Sequence, residues 1–155
     1  MVRRNAIGTG LRALTALAFA GVVSSCATQT VRNSGSGVVA GTSPLQSVER
    51  FLAAVNARDL DNMSELFGTP DGPVDWPRVE TEVHMDLLAT ILEHRSYEIV
   101  SEGMVPGRDV PTTRVGVTLT MEDRVIPDVS FLTVRTDEGR WMVQEIDLER
   151  VTGRE

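Results

Sequence analysis

The hydrophobic pattern of this chain changes its period once, near residue 95. From residue 44 to 95, apolar residues recur every three or four positions, which is the spacing of amphipathic helices. From residue 97 to 146 they alternate with polar residues, which is the spacing of strands with one buried face. Because the helices all precede the strands, the sequence predicts an α+β domain in which helices pack on an antiparallel sheet.

Local signals mark three helices in the first part of this domain. Ser43-Pro44-Leu45-Gln46 combines an N-cap serine, a proline at the first helical position and a glutamine that completes a capping box. Asp59 is placed to cap a second, shorter helix that Gly68 ends. The third helix is predicted from about Trp76-Pro77 to about Arg95. Its buried stripe is expected to contain Val79, Val83, Leu87, Leu88, Ile91 and Leu92.

Turn residues divide the second part into four predicted strands. A longer loop at 106–111, a short one at 122–124 and a tight turn at Asp137-Glu138-Gly139 suit antiparallel connections. Trp141 follows the last turn, and we expect it to anchor the core. The predicted strands are 97–102, 115–120, 129–134 and 141–146.

Two segments of the domain resemble the nuclear-transport-factor-2-like superfamily. They are Phe51-Leu52-Ala53-Ala54-Val55-Asn56-Ala57-Arg58-Asp59-Leu60, leading into Leu66-Phe67, and the ending Gly139-Arg140-Trp141-Met142-Val143-Gln144-Glu145-Ile146-Asp147. The resemblance covers most of residues 44–150 and implies a strongly curved sheet folded around a long helix as a cone. The superfamily includes ketosteroid isomerase, scytalone dehydratase and limonene epoxide hydrolase. It also includes many non-catalytic binding and assembly modules.

The N-terminus has the features of an export signal. Arg3, Arg4 and Arg12 give a basic region, and Ala13 to Val23 is an uncharged apolar run. As a helix this run would rise only about 16 Å, roughly half the thickness of a bilayer core, so it is too short for an ordinary spanning helix. The sequence therefore predicts a cleaved signal, with twin-arginine export at Arg3-Arg4 as a minor alternative.

Val23-Ser24-Ser25-Cys26, at the end of this run, resembles the lipobox of bacterial lipoproteins. The resemblance implies that Cys26, the only cysteine, becomes the lipidated first residue of the mature protein. An ordinary secretory signal with an incidental cysteine is the alternative. The predicted organisation is a signal peptide at 1–25, the lipidated cysteine and a flexible linker at 26–43, and the folded domain at 44–155. The expected location is the bacterial cell envelope, at the outer membrane if the source is Gram-negative.

Charge is distributed unevenly along the chain. All 22 acidic residues lie from Glu49 onward, together with 11 of the 15 arginines, so the domain is strongly acidic. Such a surface disfavours nucleic acid and anionic lipid head groups. Because the chain contains no lysine, Schiff-base, phosphate-loop and Ser-Lys chemistry are excluded.

Candidate catalytic residues are few. Asp86 interrupts an apolar helical region, His84 lies on the same helix, and Tyr97 is the only tyrosine. Solvent-facing roles explain Asp86 and His84 more economically. His84 and His94 are about 80° apart around the helix, so they do not form a tight metal pair. His94 is expected at the surface, so His94→Ala is expected to be nearly neutral for stability. We expect no cofactor and no metal.

Two further carboxylates fall in predicted strands. Asp128 and Glu145 are compatible with either the cavity or the outer surface of the sheet. Period-two alternation places Glu145 on the same side as Trp141 and Val143. A buried Glu145 would need a partner, which Arg114 or Arg135 could supply.

These observations favour a lipid-anchored, non-enzymatic module that binds a small apolar ligand or another envelope protein. The alternative is an isomerase, dehydratase or hydrolase that acts on a small apolar substrate through Asp86, His84 and Tyr97. A structural accessory that forms a homodimer through its exposed sheet is a third reading.

Overall fold

A computed structural model describes residues 41–153 of the 155-residue chain. The helices are α1 (Pro44–Ala57), α2 (Leu60–Leu66), α3 (Arg78–Leu92) and α4 (Leu148–Thr152). The strands are β1 (Gly68–Thr69), β2 (Gly72–Pro73), β3 (Ser96–Met104), β4 (Thr112–Thr120), β5 (Val125–Arg135) and β6 (Trp141–Ile146). The predicted signal, lipidated cysteine and most of the predicted linker lie outside the described residues.

The starts of α1 and α2 are capped as the sequence predicts. Ser43 Oγ accepts a hydrogen bond from the backbone amide of Gln46 at 3.2 Å, and Asp59 Oδ1 accepts one from the backbone amide of Asn62 at 3.1 Å. The Gln46 side chain accepts from the Thr42 amide at 2.9 Å, one residue before the position expected of a capping box. These caps satisfy amides that have no partner within the helix.

The predicted antiparallel sheet is confirmed. Strands β3, β4, β5 and β6 form one open sheet in that order, and each pairs antiparallel with the next. The short β1 and β2 form a separate pair in the loop between α2 and α3. The main sheet has β3 at one edge and β6 at the other. Gly41 and Phe67 each form a single bridge to β6. Within residues 41–153, no strand pairs with the outer edge of β3.

The core lies between the helices and one face of this sheet. Phe51 and Leu52 of α1 are completely buried, as are Met85 of α3 and Phe131 of β5. Val115, Val117 and Leu119 alternate along β4 and belong to the same cluster. The domain is therefore α+β, with α1 packed across β4, β5 and β6.

Three predictions about burial are wrong. Val79, Val83 and Leu87 of α3 are exposed, because Met85, Ala89 and Leu92 form the face that packs inward. His94 is buried, with only 8% of its surface exposed, because it lies at the junction of α3 with α1. Trp141 is only partly buried and lies outside the main core cluster.

Candidate functional site

An exposed apolar stripe runs along α3. Val79, Val83 and Leu87 are spaced by four residues and are 73%, 62% and 55% exposed. At 100° per residue they project on the side of the helix opposite Met85, which is completely buried. The helix is therefore apolar on two sides, and the core covers only one of them. We call Val79, Val83 and Leu87 the α3 stripe.

Acidic residues border the α3 stripe. Glu80, Glu82 and Asp86 lie on the same helix, and all three are exposed. Asp86 is paired with Arg58 at the end of α1, and the two side chains are 54% and 51% exposed. Exposed pairs of this kind contribute at most about 1 kcal/mol to stability. The border of the α3 stripe is therefore predominantly negative.

The structure places the three candidate catalytic residues in different surroundings. His84 Nδ1 contacts the Glu80 carbonyl at 2.8 Å, and its ring lies 4.7 Å from that of Trp76. Asp86 pairs with Arg58, whose guanidinium also donates to Thr90. These contacts place Asp86 and His84 on the exposed surface of α3. The sequence favours such a solvent-facing role for both residues.

Tyr97 lies away from the contacts of His84 and Asp86. Its ring is nearly perpendicular to that of His94, and the two ring centroids are 5.7 Å apart. Burial, and secondarily the negative charge of Glu49, raises the pKa of Tyr97 above its ordinary value of 10.0. A phenol with a raised pKa remains protonated at neutral pH, so Tyr97 can donate a hydrogen bond but is not poised as a base.

His94 serves as a connector between α1 and the end of α3. Its Nδ1 lies 2.8 Å from the Leu92 carbonyl, and its Nε2 lies 3.2 Å from Asn56 Nδ2. A carbonyl can only accept, so Nδ1 carries the proton, and Nε2 is left to accept from the Asn56 amide. The Asn56 side-chain oxygen accepts in return from the His94 backbone amide at 3.3 Å. Both ring nitrogens are thus satisfied in the neutral form.

A polar cleft of about 710 Å³ lies on the face of the sheet that turns away from the main core, and we call it the outer cleft. Asp128 and Glu145 line it together with Arg114. Period-two alternation wrongly groups Glu145 with Val143, because the β5–β6 register shifts between Leu132 and Thr133. This bulge returns Val143 to the core and leaves Glu145 on the outer face.

Close approach of side chains over Gly116 shapes one side of this cleft. A Cβ at Gly116 would overlap Ser101 Oγ and Asp128 Oδ1. Asp128 has a left-handed backbone with a φ of 52°, within a second bulge between Val117 and Leu119 of β4 and their partners on β5. Aspartate tolerates this conformation better than most residues. The sequence Pro127-Asp128 inside a strand was the available signal for this irregularity.

No protein-family model matches the chain, and no curated protein matches it. Within residues 41–153, no group of three His, Cys, Asp or Glu side chains is arranged to hold a metal ion. No helix in the same part of the chain is long and apolar enough to cross a membrane.

Proposed function

We propose that this protein is a lipid-anchored envelope protein whose folded domain binds another protein through the α3 stripe. The exposure of Val79, Val83 and Leu87 is the observation that carries the proposal. Contiguous apolar surface on a soluble domain is typical of interaction sites. Apolar residues at i, i+4 and i+8 form one face of a helix, and a partner can bind such a face in a hydrophobic groove or against a helix of its own.

The acidic border defines the chemistry of the partner. Glu80 and Glu82 flank the α3 stripe, so a complementary surface carries apolar residues surrounded by lysine or arginine. A second copy would bring two acidic borders together, which like-charge repulsion disfavours. Anionic lipid is disfavoured for the same reason. A different protein with a basic rim is therefore the partner that fits.

Attachment to the membrane is proposed from the N-terminal sequence. The basic region, the apolar run and Val23-Ser24-Ser25-Cys26 support lipidation of Cys26. A diacylated or triacylated cysteine gives stable attachment, whereas one chain binds only marginally. Cys26→Ser should abolish labelling of the protein by a fatty-acid analogue. Unchanged labelling of this variant would contradict the proposal.

The order of elements also supports a nuclear-transport-factor-2-like architecture. Three helices precede a four-stranded antiparallel sheet, and α1 packs on its inner face. We propose that the domain is a small, non-enzymatic variant of that fold. An experimental structure with a flat sheet, or with α1 outside its concave face, would contradict this assignment.

Photo-crosslinking in cells tests the proposed docking surface. The full chain would carry a photoreactive amino acid at Val83, with a matched control at Asp123 in the β4–β5 turn, which is also exposed. We expect one discrete adduct with a different protein from position 83 and none from position 123. Leu87→Glu should remove the adduct without altering thermal unfolding, because Leu87 is 55% exposed. The proposal would be overturned if position 83 formed an adduct only with a second copy of the chain, formed one only with lipid, or formed no adduct.

A further inference from the structure

The outer cleft contains a row of three residues with distinct chemistry. Arg114 of β4 is the register partner of Leu132 on β5, and Leu132 is in turn the partner of Glu145 on β6. Register partners project from the same face of a sheet. A positive side chain and a negative side chain therefore flank an apolar residue across three neighbouring strands.

The two charges of this row have no ionic partner in residues 41–153. Ion pairs in this range join Arg58 to Asp86, Arg95 to Glu122 and Arg140 to Glu138, and neither Arg114 nor Glu145 takes part in one. Arg114 and Glu145 are separated by two strand spacings, about 10 Å between Cα atoms. They are thus held near each other in the cleft without neutralising each other.

Two neighbouring charges reinforce this polarity. Arg108, in the loop between β3 and β4, lines the same cleft as Arg114. Asp128 lines it as Glu145 does, and its carboxylate is held above Gly116. By contrast, Arg150 and Asp147 already bond locally: Arg150 Nε donates to the Pro127 carbonyl at 3.2 Å, and Asp147 caps α4.

We propose that this cleft binds a short peptide with free ends, with its carboxylate at Arg114 and its ammonium group at Glu145. An extended tripeptide separates its terminal charges by about 10 Å, at roughly 3.3 Å per residue, which matches the span of the row. Its middle residue would lie over Leu132, which supplies an apolar floor. The cleft volume of about 710 Å³ exceeds what a tripeptide needs and falls within the usual range of ligand sites.

Calorimetric titration of the full chain with three peptides tests this assignment. The probes are trialanine with free ends, N-acetyl-trialanine and trialanine amide. Each capped peptide lacks one charge and is otherwise nearly the same size. We expect free trialanine to bind and each cap to weaken binding about tenfold, as expected for one lost charge-assisted hydrogen bond.

Two variants identify which residue binds each end. Arg114→Gln should weaken free trialanine about tenfold and remove the difference between trialanine and its amide. Glu145→Gln should remove the difference between trialanine and its N-acetyl form. Arg135→Gln, a matched control on an exposed arginine outside the cleft, should change neither comparison.

Three outcomes would overturn the inference. They are no binding of free trialanine, equal binding of all three peptides, and loss of binding in the variants without the paired change in selectivity. Thermal unfolding of Arg114→Gln and Glu145→Gln should match that of the unaltered protein, since both side chains are exposed. The test is independent of the docking proposal, because Leu87→Glu should leave trialanine binding unchanged.

Discussion

The two sides of α3 are chemically alike but are used differently. Met85 and Leu92 are completely buried, whereas Val79 and Leu87 are 73% and 55% exposed. The inward side packs against α1, α2 and α4, and the outward side extends the apolar surface into solvent. Apolar character therefore does not by itself identify the core, since a helix can serve the core with one side and a partner with the other.

The largest effect is expected from the inward side. Leu92→Ala should destabilise the domain by about 2–5 kcal/mol, because it removes a completely buried side chain and leaves a cavity. Denaturant titration would measure this loss directly. A cost below about 1 kcal/mol would show that the inward side of α3 is loosely packed and would weaken the distinction between the two sides.

The next effect concerns the junction at the end of α3. His94→Ala should cost about 1–3 kcal/mol, because it removes a buried ring and leaves the Leu92 carbonyl without its hydrogen-bond partner. His84→Ala is the matched control, and it should have a smaller effect because His84 is exposed. Equal losses in thermal or chemical unfolding would contradict the buried connector role of His94.

A smaller effect, confined to alkaline pH, is expected at Tyr97. Because its pKa is raised in the folded state, the folded protein retains the phenolic proton at a pH where the unfolded chain loses it. Stability should therefore fall as pH rises above about 10, the ordinary tyrosine pKa. Ultraviolet titration of the single tyrosine should give a midpoint above that value. Glu49→Gln should lower the midpoint without restoring it fully, since burial is the larger cause.

The smallest effect is expected on the outward side of α3. Leu87→Ala makes the same change as Leu92→Ala on the same helix, but it should alter stability by no more than about 0.5 kcal/mol. Denaturant titrations of the two variants should therefore separate clearly. A loss of 2 kcal/mol or more at Leu87, about that of a buried leucine, would mean that this side chain is covered and that the α3 stripe is not a free surface.

The helices and strands of this domain are easier to predict from the sequence than the inward side of α3. Capping residues at Ser43 and Asp59 and the change of period near residue 95 predict α1, α2 and the four strands, because these signals are local. Helical periodicity also predicts α3, but Val79, Val83 and Leu87 satisfy the same spacing as a buried face. Which side packs inward depends on α1, α2 and α4, which are not local in sequence.

The outer cleft shows a second limit of pattern reasoning. Asp128 and Glu145 are recognisable as unusual strand carboxylates, but two bulges decide where they point. A one-residue shift moves a side chain to the opposite face of the sheet, so alternation fails beyond each bulge. Helical periodicity does not predict α4, because five residues are too few to show it, although Asp147 and Gly153 supply its cap and its end.

The contact between Gly41 and Trp141 has a mechanical consequence. The Gly41 carbonyl accepts from the Trp141 amide at 2.9 Å, and a Cβ at Gly41 would lie 2.7 Å from Ser47 Cα, so only glycine fits this point of entry. If Cys26 is anchored as proposed, drag on the domain enters at Gly41, from which the covalent chain continues into α1. The hydrogen bond to Trp141 joins this entry point to the sheet, so it is the first sheet contact that force loads. Its loss would release Gly41 from β6 and leave α1 packed on the sheet.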